Sequence, residues 1–126
     1  MRASTLLPLF LGACFSEDSY DDDVAATWCA SLKSCDEDRF WRTYDAGTPE
    51  CRETVAGEVR SVRYGQDEGR SGLAVRTTCT WKPEEASACL GDLYGVECAL
   101  VLADASLPAD CGRVAWDCIT VQEPTP

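Results

Sequence analysis

Apolar residues recur along this chain at helical spacing. Val24, Trp28, Leu32 and Cys35 fall at i, i+4, i+8 and i+11, one face of a helix. Asp22 or Asp23 stands ahead of that face as its cap. Asp36 offers a second cap, and Phe40, Trp41 and Tyr44 behind it predict a short helix that Gly47 breaks. Thr48-Pro49-Glu50 sets a capping Thr before a Pro at the first helical position. Cys51, Val55, Val59 and Val62 then repeat the helical spacing until Gly65 ends it. Residues 66–72 read as a polar, Gly-rich loop. Leu73 to Trp81 alternates poorly but is rich in β-branched residues, which suits a short strand or an extended connector near 73–81. Pro83-Glu84-Glu85 starts another helix, with acids near its positive end. Its apolar face is Ala86, Cys89, Leu90 and Leu93, and Gly95 breaks it. Glu97 to Ala105 predicts one more short helix. Leu107-Pro108 reads as a further break, and Ala109 to Ile119 carries the last two cysteines. The expected fold class is all-α or mainly α.

Composition changes this picture in two ways. The chain has 126 residues, enough for one modest core. Nine cysteines are far more than a cytosolic domain of this size usually carries. The 22 acidic residues outnumber the 11 basic ones, giving a formal net charge of −11. That balance opposes binding to nucleic acid, which needs a clustered basic face, and it opposes a polybasic contact with anionic lipid. Of the four tryptophans, Trp28 has a core phase. Trp41, Trp81 and Trp116 are expected in the core, with a binding surface as the alternative.

The N-terminus reads as an address. Arg2 precedes an apolar run from Leu6 to Ala13, the order of a secretory signal. The run is far shorter than the ~20 residues that span a bilayer. It ends in Leu11-Gly12-Ala13-Cys14, which resembles a bacterial lipobox: Leu at −3, small residues at −2 and −1, Cys at +1. The resemblance implies cleavage before Cys14 and attachment of lipid, such as palmitate, to that residue. Two or three acyl chains anchor firmly where one binds marginally. Phe15, in place of an Asp, implies outer-membrane localisation rather than inner-membrane retention. The expected organisation is a signal peptide at 1–13, a lipidated Cys and acidic tether at 14–23, a disulfide-rich helical domain at 24–120 and a flexible tail at 121–126. Calcium at the acids between Glu17 and Asp23 is the sharper reading of that tether. The run lacks the alternation, the Gly and the terminal Glu of a calcium loop.

Setting Cys14 aside leaves Cys29, Cys35, Cys51, Cys79, Cys89, Cys98, Cys111 and Cys118, an even set in a chain with an export signal. Four disulfides are expected in an oxidising compartment. No Cys-x-x-Cys and no histidine occurs, so zinc and dithiol redox sites lack their usual ligand pairs. Eight cysteines allow more than a hundred pairings. Cys35 with Cys51 brackets one helical segment, and Cys89 with Cys98 flanks the helix end at Tyr94-Gly95; these two pairs are the expectation, with the other four cysteines open.

Catalytic chemistry is thinly represented. Without histidine there is no Ser-His or Cys-His nucleophile. Glu53, Glu58 and Glu97 have the apolar neighbours that a muramidase-like acid would want, but each is more simply an exposed helix position. Gly65 to Gly72 lacks the Lys-Ser or Lys-Thr of a phosphate loop, and its acids repel phosphate. No catalytic residue, cofactor or metal is expected.

The LGAC lipobox, the acidic tether, Trp28 to Cys35 followed by Asp36, and Ala88-Cys89-Leu90-Gly91-Asp92-Leu93 followed by Cys98 together resemble the small cysteine-rich lipoproteins of myxobacteria and their relatives. That group carries no activity over. The resemblance implies an exported, membrane-anchored protein acting as a binding or structural module that contacts an envelope protein or a glycan. Two alternatives stand beside it: a carboxylate-dependent hydrolase of envelope polysaccharide, and a secreted, unanchored effector or inhibitor.

Overall fold

The computed structural model describes residues 16–64 and 73–124. The expected signal peptide, the lipobox-like motif at Cys14, the expected Gly65 helix stop and the expected loop at 66–72 lie outside those residues. Among the described residues there are six helices and a two-stranded sheet: α1 (Tyr20–Cys35), α2 (Glu37–Thr43), α3 (Thr48–Tyr64), β1 (Leu73–Trp81), α4 (Pro83–Tyr94), α5 (Cys98–Ala103), α6 (Leu107–Val114) and β2 (Trp116–Pro124). The domain is mainly helical.

Helix α1 is central: it packs on α3 most extensively and also touches α2, α4, α5 and α6. Its start lies earlier than the sequence suggests. Ser19, not Asp22 or Asp23, occupies the N-cap position, and its hydroxyl donates to Asp23 Oδ2 at 3.1 Å. Asp21, Asp22 and Asp23 fill the first turn, where the helix dipole favours negative charge. Tyr20 is fully buried, and its hydroxyl donates to the Cys111 carbonyl oxygen at 3.1 Å. The segment 14–23 is therefore not all tether; its last four residues belong to the folded domain. Asp36 serves two helices. Its N–H closes the end of α1 on the Leu32 carbonyl, and its carboxylate accepts from the Arg39 N–H at 3.0 Å to cap α2. Gly47, at φ +87°, makes the turn into α3, a left-handed backbone that other residues rarely adopt.

The core is built where the helical periodicity places it. Val24 and Trp28 of α1 meet Cys51, Val55 and Val59 of α3, with Ala86, Leu93, Val101 and Cys111 closing the sides. Gly112 brings α6 against α3 so closely that an added Cβ would lie 2.5 Å from the Val59 carbonyl oxygen. Leu107-Pro108 does not break the chain. It opens α6, with Pro in the first turn, where a missing N–H costs nothing.

The stretch Ala109 to Ile119 divides at Ala115 into a helix and a strand. β2 pairs antiparallel with β1 from Trp81↔Trp116 at its base to Leu73↔Pro124 at its far end. Residues 121–124 are therefore strand, not tail. The base is held by aromatic contacts: Trp81 lies 5.1 Å from Trp116 and 5.2 Å from Tyr20, centroid to centroid. Toward the far end the ribbon is open, with Ile119 61% and Val121 49% exposed.

All eight cysteines of the domain are paired, but not as the spacing suggested. The bonds are Cys29–Cys51, Cys35–Cys98, Cys79–Cys118 and Cys89–Cys111. Cys35 does not join Cys51, because Cys51 sits in the first turn of α3 opposite Cys29, well back along α1. Cys35 closes α1 where α5 begins and bonds the first residue of that helix. Cys89 does not join Cys98, because it lies mid-helix on α4 against α6 and finds Cys111. Cys79 and Cys118 are register partners in the ribbon.

Candidate binding pocket

Helices α1, α2, α3 and α5 line a partly open pocket of about 190 Å³. Its position follows from the short α2. Asp36 turns the chain so that Phe40 packs inward, buried, with Tyr44 one turn later and half-buried. The Phe40 and Tyr44 rings are 5.6 Å apart at 51°. Trp28 and Leu32 come from α1, Val55 from α3 and Val101 from α5, so the inner wall is hydrocarbon and aromatic ring. The polar groups at the cavity are Asp36, Arg39, Thr43 and Glu58, with the Tyr44 phenol. The Arg39 guanidinium donates to the Leu102 carbonyl oxygen at 3.0 Å, which ties α2 to α5. Burial pushes the Tyr44 phenol above its ordinary range, and the carboxylates of Glu58 and Glu50 push it further the same way.

The three glutamates singled out from sequence do not converge. Glu53 and Glu58 are exposed on α3, and Glu58 alone of the three lines this cavity. Glu97, also exposed, borders a separate, more open depression with Asp92 and Asp110. Trp28 is core, Trp81 and Trp116 are half-buried at the ribbon base, and Trp41 is 44% exposed. The Trp41 ring stands edge-on to Phe40, with the Lys33 ammonium 5.4 Å from its centroid. Among the described residues no group of three or more His, Cys, Asp or Glu is placed to hold a metal ion. No helix among them is long and apolar enough to cross a membrane.

Sequence reasoning placed Phe40 and Tyr44 on one short helix but not at a pocket. The available signal was their four-residue spacing on a helix too short to bury a full stripe, next to Trp28 and Leu32 on the preceding one. No family model matches the chain, and no curated protein and no solved structure matches it.

Proposed function

We propose that this chain is a lipoprotein of the bacterial envelope, anchored through Cys14, whose disulfide-stapled domain acts as a binding module for an envelope protein or a glycan. The observation that carries the reading is the cysteine pairing. Eight of the nine cysteines bond among themselves, and the ninth is the one in the Leu11-Gly12-Ala13-Cys14 motif. Four disulfides favour an oxidising compartment, which agrees with the apolar segment after Arg2. α1 starts at Tyr20, which on this reading leaves only residues 15–19 between the anchor and the fold and supports a short tether. The partly open pocket, with apolar side chains at its base and polar groups at its edge, offers a small concave surface to a partner.

The test is the partition of the full chain, expressed with its leader in a Gram-negative host, between membranes and the soluble fraction. The wild type should sediment with membranes and carry a lipid adduct on a chain beginning at Cys14. Cys14→Ala should leave the protein soluble. A wild-type protein without the adduct, or a Cys14→Ala variant that still sediments, overturns the anchor.

A further inference from the structure

We propose that the apolar groove between α4, α5 and α6 docks a basic segment of a partner protein, with an apolar side chain of that segment in the groove and its Lys or Arg residues against Asp92 and Glu97. The inference rests on the reading of the domain as a module that binds an envelope protein, and not on the anchor.

Three observations carry the proposal. The first is the groove itself, a depression of about 390 Å³ that opens to solvent. Leu93 and the Cys89–Cys111 disulfide line its buried part, and Val96, Leu100 and Leu107 stand around it. These walls offer apolar surface: Leu100 is 52% exposed, and Val96 and Leu107 are half-buried. Scattered exposed apolar residues are ordinary, whereas an apolar concavity rimmed by polar groups has the pattern of a contact site. The disulfide fixes α4 to α6, so the groove exists before a partner arrives and little ordering cost falls on this side of the complex. The second observation is the sign of the rim. Asp92, Glu97 and Asp110 line the groove, and no Lys or Arg does among the described residues. Asp110 is engaged by Arg113 at 2.6 Å. Among the described residues Asp92 and Glu97 make no ion pair and no side-chain hydrogen bond, which leaves both carboxylates to a partner. The third is the end of α4. The groove lies at its C-terminus, where the helix dipole is negative and favours cations, yet the last turn holds no basic residue and carries Asp92 instead. α5 and α6 begin at the same groove, and Glu97 and Asp110 already meet their positive ends. The charge left uncompensated is negative, and complementary charge on a partner speeds encounter and fixes register. A second copy of this chain, at a formal net charge of −11, is a poor match. An anionic glycan meets the same repulsion, and a neutral sugar finds hydrocarbon where it needs hydrogen bonds.

The experiment is an NMR titration of the isotope-labelled full chain, held in a sugar-headgroup detergent at constant concentration. The probes are three capped heptapeptides: one alternating lysine with leucine, one with glutamate in place of lysine, and one with serine in place of leucine. The proposal expects the lysine–leucine peptide to give saturable shifts of amides from Asp92 to Leu100 and around Leu107. The glutamate peptide should not bind. The serine peptide should bind about tenfold more weakly, because it has no apolar side chain to bury. Asp92→Asn with Glu97→Gln, both at exposed positions that folding tolerates, should weaken the lysine–leucine peptide about fivefold, the scale of two solvent-screened charge pairs. Glu53→Gln with Glu84→Gln removes the same charge from α3 and from the far end of α4, and should leave the affinity unchanged. Leu100→Ala should weaken the lysine–leucine peptide about threefold, as expected for a half-exposed wall, and leave the serine peptide as it was. Equal losses in the two double variants mean diffuse attraction to an acidic surface and overturn the proposal, as does equal binding of the leucine and serine peptides. Groove shifts that grow with protein concentration in the absence of peptide make the occupant a second copy and overturn it too. Saturable shifts that map to another face overturn the groove but leave the domain a binding module, and the anchor is judged by membrane partition alone.

Discussion

Gly112 has no room for a methyl group. A Cβ there would lie 2.5 Å from the Val59 carbonyl oxygen and 2.8 Å from Val62 Cγ2, and the first of these is backbone that cannot rotate away. Gly112→Ala should therefore push α6 off α3 and destabilise the domain by about 1–3 kcal/mol, the usual cost of overpacking, read from chemical denaturation. Tyr20 carries a second residue-scale expectation. Its buried phenol is held well above its ordinary pKa, first by burial and then by Asp21. The folded state thus keeps a proton that the unfolded chain releases at pH ~10. The sign follows: this contribution to stability is fully present below the unfolded-chain value and is lost as pH rises through the folded-state value. Tyr44 shifts in the same direction. Denaturation midpoints should hold from neutral pH to about 9 and then fall. Tyr20→Phe should flatten much of that fall while losing about 1 kcal/mol with the hydrogen bond to the Cys111 carbonyl.

At the scale of elements, the two kinds of disulfide do different things. Cys29–Cys51 is buried and joins the two longest helices across the core. Cys79–Cys118 joins two strands that form a sheet of their own, and an isolated two-stranded ribbon is marginal in water. Replacing Cys29 and Cys51 by Ala should cost about 2–4 kcal/mol of global stability. Replacing Cys79 and Cys118 should leave the helical melting transition nearly unchanged and remove hydrogen-exchange protection from β1 and β2 alone. This contrast also explains what the sequence could reveal. α1, α3 and α4 were legible because each carries a continuous apolar stripe; α3 and α4 also carry a start signal, whereas Asp22 or Asp23, read as the cap of α1, lies three or four residues late. β1 was legible from its β-branched residues. β2 was not, because Trp116 to Pro124 mixes Asp, Gln, Glu and Pro with apolar residues, and its strand character comes from pairing with β1. The disulfide partners were illegible for a related reason. Cys35 and Cys51 are near in sequence, but the direction in which α3 returns along α1 decides who meets whom, and that is a tertiary fact. The pocket was half-legible: Phe40 and Tyr44 were placed on one helix and 97–105 on another, while the docking of α5, with Val101, against them is a tertiary fact that no local spacing shows.

Across the whole molecule the cross-links sort the elements into three sets. Cys29–Cys51 and Cys35–Cys98 tie α1, α3 and α5; Cys89–Cys111 ties α4 and α6; Cys79–Cys118 ties the ribbon. What joins the sets is non-covalent packing: α1 on α4 and α6, α3 on α6, and Tyr20 bridging to Trp81 and to the Cys111 carbonyl. The domain is small, and a native fold of its size has only about 5–15 kcal/mol of net stability. Four staples at ~2–4 kcal/mol each are comparable with that whole margin. Reduction should therefore not merely lower the melting point. A circular dichroism melt of the oxidised protein should show one cooperative transition, and the fully reduced, alkylated protein should show none near body temperature. Gly112→Ala with all bonds intact gives the complementary case, because it strains the seam between two linked sets without cutting either. Its transition should move down yet stay cooperative, since the sets share one core through Val59, Cys111 and Tyr20. Two separate transitions in that variant would mean that α4 and α6 unfold independently of α1 and α3, and a reduced protein that still melts cooperatively would mean that the helical packing alone sustains the fold.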